Sequence, residues 1–157
     1  MRACLLILVA PACSDPIGAG EASSAALPQI ASAYAEVGNV FLDQPQAGTY
    51  RVWHLGFGAE AAGTDCTTVD PIISFEVYTI FSSAPRGDIP ISMLAPPPQE
   101  FPTLYAEIAD GTFSAGTLSI TSASTTRLIG TFTGFANLAG QPSTSIDLAF
   151  TAPTCAQ

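Results

Sequence analysis

The stretch GTLSITSASTTRLIGTFTGF, Gly116–Phe135, decides the fold class. In its first half Leu118 and Ile120 alternate with Thr117, Ser119 and Thr121, the period-two pattern of a strand with one face buried. A short Ser/Thr segment follows, then a second β-prone run from Arg127. Gly130 and Gly134 fall inside that run, where glycine marks a bulge, a bend or close packing against another backbone. Two strand patterns joined by a few polar residues read as antiparallel neighbours.

The same period recurs on either side. SIDLAFT (145–151) sets Ile146, Leu148 and Phe150 against Ser145, Asp147 and Thr151. ISFEVYTIF (73–81) sets Phe75, Val77, Thr79 and Phe81 against Glu76, Tyr78 and Ile80. TYRVWHLGF (49–57) places Trp53, Leu55 and Phe57 on one face and Val52, His54 and Gly56 on the other. TLYAEIA (103–109) alternates Leu104, Ala106 and Ile108 with Tyr105, Glu107 and Ala109. Asp110-Gly111 follows it, a favoured pair for a type I′ hairpin turn. The run APPPQEFP (95–102) cannot join a central strand and reads as an extended surface connector. The expectation is an all-β fold of about seven or eight antiparallel strands, a β-sandwich or alternatively a small closed β-barrel.

The N-terminus has a different character. Arg2 precedes an apolar run, Ala3–Ala10, long enough for a secretory signal and too short to span a bilayer. Val9-Ala10-Pro11-Ala12-Cys13 then resembles a bacterial lipobox, with Ala10 where that pattern usually carries leucine. The resemblance implies that Cys13 becomes the lipidated first residue of the mature chain. Ser14 is compatible with outer-membrane sorting in such signals. Residues 1–12 read as a signal peptide, 13–31 as a lipidated N-terminus and flexible tether with one helical turn near Glu21–Ala26, and 32–157 as a single all-β domain.

On that reading Cys4 leaves with the signal and Cys13 carries lipid, so Cys66 and Cys155 are left to pair as a disulfide in an oxidising compartment. Such a loop closure contributes on the order of 4 kcal/mol. The C-terminal stretches GTLSITS, LIGTFTGF and SIDLAFTAPTC also resemble a pattern in small, functionally unassigned bacterial lipoproteins. That likeness covers Gly116–Cys155; it implies an exported β-domain with a terminal cysteine and no chemistry.

Charge narrows the partners. The chain has 13 acidic residues against four basic ones, all arginine, and a net charge of −9. Nucleic-acid binding rests on basic side chains displacing counterions, so such a partner is not expected. No polybasic stretch serves anionic lipid headgroups, so membrane attachment falls to the N-terminal lipid. The expected location is the bacterial cell envelope, at the outer membrane on its periplasmic or surface face.

Candidate sites are few. His54, the single histidine, lies on the face opposite Trp53, and a general base would also need an orienting partner and a nucleophile. Trp53, with Tyr50 and Phe57, reads as core or as a carbohydrate or ligand platform. His54 and Trp53 are the weak ligand-site candidates. Glu76 and Glu107 could meet across a sheet as an acid/base pair. Asp65 and Asp70 offer calcium two carboxylates where six to eight oxygens are taken. Arg86-Gly87-Asp88 matches a tripeptide that integrins recognise, within a segment that reads as a turn. No serine sits in a G-x-S-x-G elbow and no phosphate-cradling glycine loop occurs. No catalytic residue, metal ligand or cofactor is expected. The function expected is that of a non-enzymatic binding or structural domain, alternatively a carrier of small apolar ligands in a barrel cavity.

Overall fold

The computed structural model describes residues 20–43, 47–59, 71–80, 83–94, 98 and 100–156. Nine strands run in chain order: β1 Glu21–Ser24, β2 Ser32–Leu42, β3 Gly48–Gly58, β4 Ile73–Ile80, β5 Gly87–Pro90, β6 Thr103–Ile108, β7 Gly111–Ala123, β8 Arg127–Leu138 and β9 Thr144–Ala156. They form one sheet in the order β5-β7-β8-β9-β2-β3-β4-β6, with β1 paired to β9 off this path. The all-β expectation holds, with strands beyond the seven or eight counted from the sequence.

The sheet curls until it is nearly a barrel. β9 forms one corner: residues 144–153 pair with β8, and residues 154–156 pair with β2. The far edges approach each other just beyond β5, where Ile91 bridges Leu104 of β6. This bridge ties the two edges together at one point, where unpaired backbone would otherwise be open to foreign strands.

Alternation explains which side chains fill the interior. The β4 pattern places Ile73, Phe75, Val77 and Thr79 inward, and β8 does the same with Leu128, Gly130, Phe132, Gly134 and Ala136. β7 needs help, because its apolar residues change parity along the strand. Register shifts at Phe113/Ala115 and Ile120/Ser122 each insert one residue and restore the inward phase for Leu118 and then Ala123. The bulges therefore sit on β7, opposite the glycine-bearing strand. Gly134 serves close packing: a Cβ there would lie 2.7 Å from both the Ala115 carbonyl oxygen and the Phe132 ring.

Phenylalanine dominates what is enclosed. Phe75 packs against Phe132 with ring centroids 4.7 Å apart, Phe132 against Phe113 at 5.2 Å, and Phe57 against both Phe75 and Phe150. Phe57, Phe75 and Phe132 have no solvent exposure. Burying rings of this size supplies much of the hydrophobic driving force for folding.

Three expectations are corrected. Residues 21–24 are a strand and not a helical turn, and Leu27 and Ile30 are buried in the core, so the folded body extends N-terminal of residue 32 into the segment read as tether. Asp110 takes φ 57° but Gly111 does not adopt positive φ, and the turn carries the chain between strands that are not sheet neighbours. It is a corner and not a type I′ hairpin. Finally, β2 and β9 pair in parallel, with Ala35 opposite Thr154. Closure of the sheet brings together strands from the two ends of the chain, so this parallel pair needs no crossover helix. Residues 1–12, read as a signal, together with Cys13 and Cys66 lie outside the described residues, and the connector 95–102 is described only in part.

Candidate functional site

His54 and Trp53 are consecutive on β3 and face opposite ways, as the period of two requires. Trp53 is 3% exposed and belongs to the core, whereas the His54 side chain is 45% exposed on the outer face. Each residue opens onto a different depression.

The outer depression is built by register. Glu36 of β2 stands opposite His54, His54 opposite Glu76 of β4, and Glu76 opposite Tyr105 of β6, so four strands contribute one row of polar side chains. The adjacent row runs Tyr34, Gly56, Ser74 and Glu107. Gly56 is needed there because the Tyr34 ring lies directly over it, in the space a Cβ would occupy. An aromatic ring covering a strand glycine replaces the side-chain packing that glycine lacks. Together these rows line a groove of about 570 Å³.

Electrostatics within the groove centre on Glu76. Its Oε1 lies 3.4 Å from His54 Nδ1, and its Oε2 accepts a hydrogen bond of 3.1 Å from the Tyr78 hydroxyl. Burial, followed by the Glu76 charge and that hydrogen bond, pushes the Tyr78 phenol up to about 12. Burial and the Glu36 carboxylate raise Tyr34, and burial is the largest cause raising Tyr105. All three phenols are therefore neutral near pH 7 and lie near carboxylates, and the Tyr105 hydroxyl oxygen is itself buried. Tyr78 and Tyr105 meet edge to face with centroids 5.6 Å apart, which holds both rings in place.

Glu107 does share this groove with Glu76, at a diagonal cross-strand position and not directly opposite. Among the described residues no hydroxyl hydrogen-bonds to His54; its polar contact is Glu76. The imidazole is thus oriented, but no paired nucleophile accompanies it. The arrangement can accept hydrogen bonds and attract positive charge. Among the described residues no group of three His, Cys, Asp or Glu side chains could hold a metal ion.

The second depression lies at the barrel end where β2 and β9 finish and β3 and β8 begin. Its volume is about 430 Å³, and Trp53, Arg51, Asn39, Val37 and Thr154 line it. Cys155 lines it too and is buried. Asp65 and Asp70, the calcium candidates, fall outside the described residues. Gly87 opens β5 with φ 73°, and Asp88 accepts a 2.5 Å hydrogen bond from Ser119 Oγ, so Arg86-Gly87-Asp88 leads into an edge strand.

The tyrosines and Glu36 were not singled out from the sequence as site residues. In the sequence Tyr78 shares parity with Glu76 and Tyr105 with Glu107, but no strand is read over 32–42, and the rows exist only once register is fixed. No family model matches the chain, and neither the curated proteins nor the solved structures contain a match to it.

Proposed function

We propose that this chain is an exported, lipid-anchored domain of the bacterial cell envelope that binds its partner without catalysis, through the outer groove of β2, β3, β4 and β6. One observation carries the reading: the single histidine, three glutamates and two tyrosines, Tyr34 and Tyr105, drawn from four adjacent strands, line one concave outer surface. A rigid sheet holds these groups, and binding sites on strands are more precise than sites on loops. Carboxylates beside neutral phenols favour a ligand with positive charge and hydrogen-bond donors, such as a lysine-rich peptide segment.

The alternative of a carrier for apolar ligands requires interior space. Phe57, Phe75 and Phe132 occupy the centre of the barrel, which favours the surface over the interior. Cys13 supplies the anchor on this reading, and the Cys66–Cys155 disulfide fixes the C-terminal strand.

Calorimetric titration tests the binding surface. A lysine-rich oligopeptide should bind saturably, an acidic peptide of equal length should not, and Glu76→Gln should weaken binding about fivefold or more, the loss of a charged hydrogen-bond acceptor. Equal affinity of wild type and E76Q for the basic peptide would remove the groove from consideration.

A further inference from the structure

We infer that Glu76 Oε1 seats the cationic head of the groove's ligand and that His54, once protonated, competes for the same oxygen. The groove then binds more tightly near neutral pH than in acid. The inference rests on the groove reading above and adds how that site is regulated.

The geometry sets up the contest for one oxygen. Glu76 Oε2 accepts the Tyr78 hydroxyl at 3.1 Å, while Oε1 lies 3.4 Å from His54 Nδ1. The His54 and Glu76 side chains are 45% and 43% exposed, so a ligand in the groove can reach both. A neutral imidazole beside a carboxylate offers at most a hydrogen bond and leaves the negative charge in place. A protonated imidazole pairs with the carboxylate and offsets that charge. Histidine is the side chain that ordinarily makes this change between about pH 5 and 8.

The groups packed around His54 single it out as the switch. On the β2 side it faces Glu36, with Tyr34 in the adjacent row; on the β4 side it faces Glu76, with Tyr78 bonded to that carboxylate. Beyond β4, β6 adds Tyr105 and Glu107 to the same groove. Carboxylates ordinarily ionise below about pH 5 and phenols near 10, and burial raises these three phenols further. Among the described groups of the groove, imidazole is therefore the type that titrates between those limits. An ammonium seated on Oε1 shares that oxygen with the imidazole and stands within about 6 Å of it. Like charges so close cost about threefold or more in affinity, even in water-like surroundings.

The experiment is a calorimetric titration of the lysine-rich oligopeptide into the protein at about pH 8 and about pH 5.5, at constant ionic strength, the range over which histidine changes charge. Wild type should bind about threefold or more tightly at the higher pH. His54→Gln, uncharged at both values, should bind equally at both; His54 is half-exposed, and an unchanged dispersed NMR spectrum verifies the variant's fold. By linkage, peptide bound midway through the range expels protons from the imidazole. Wild-type binding enthalpy should then vary with the ionisation enthalpy of the buffer, and that of H54Q should not. Equal wild-type affinity at both pH values, or full pH dependence retained in H54Q, would overturn the competition and leave the groove a peptide site. Absence of binding at either pH would remove the groove reading and this inference together.

Discussion

Glu76 divides its two carboxylate oxygens between two strands' worth of chemistry: Oε1 lies 3.4 Å from His54 Nδ1, and Oε2 accepts the Tyr78 hydroxyl at 3.1 Å. A carboxylate held from both sides has a defined position on the outer face of the sheet. It also sets the charge that its neighbours experience.

Tyr78 reports on that charge. Its phenol titrates at about 12 in the fold against an ordinary 10.0, so the folded state holds the proton more tightly than the unfolded chain. The associated stability is fully present below pH 10 and is lost as pH rises toward 12. Wild type should therefore lose more stability than Tyr78→Phe between these values, in urea melts at matched pH. Replacing Glu76 by Gln should lower the Tyr78 transition while burial still keeps it above 10, read as tyrosinate absorbance at alkaline pH.

Phe132 of β8 links two other strands of the core, β4 through Phe75 and β7 through Phe113. Phe132→Ala should cost about 3–5 kcal/mol, the range for deleting a buried aromatic side chain. Phe135, three residues later on the same strand, is 52% exposed. Phe135→Ala should change stability by less than about 0.5 kcal/mol, typical of surface sites. Chemical denaturation of both variants checks the contrast.

Leu27 tests where the folded body begins. It is 6% exposed and joins the core, so Leu27→Ala should cost about 2 kcal/mol or more. A tether residue would cost nothing. A thermal midpoint for L27A equal to that of wild type would return residues 25–31 to the tether.

The proposed anchor and disulfide are tested by mass. Produced in a Gram-negative host, the mature protein should weigh as a chain beginning at an acylated Cys13, and Cys13→Ser should release it from the membrane fraction. A non-reducing peptide map should contain a Cys66–Cys155 crosslink. An unmodified N-terminus with an alkylatable Cys13 would discard the anchor.

Much of the fold was legible because burial is one-sided. Leu118 and Ile120 on β7, and Ile146, Leu148 and Phe150 on β9, are inward in the fold as the period of two demanded. The opposite orientations of Trp53 and His54 followed from the same rule. What escaped was long-range. EASS has no strand propensity of its own and becomes β1 because β9 offers it a paired edge, Ala22 opposite Phe150. The parallel pairing of β2 with β9 depends on closure of the whole sheet. The groove likewise needs β2, β3, β4 and β6 in register before Glu36, His54, Glu76 and Tyr105 become neighbours. Nothing local to any one of those strands encodes that row.

The central claim is that this row forms the binding surface. The most direct measurement is a residue-level NMR footprint of a bound lysine-rich peptide on the isotopically labelled domain. The account predicts shifts concentrated on residues 34, 36, 54, 74, 76, 105 and 107, fading with added salt as the charge contribution is screened. Shifts confined to β8 and β9, with the His54 and Glu76 signals unmoved, would contradict it.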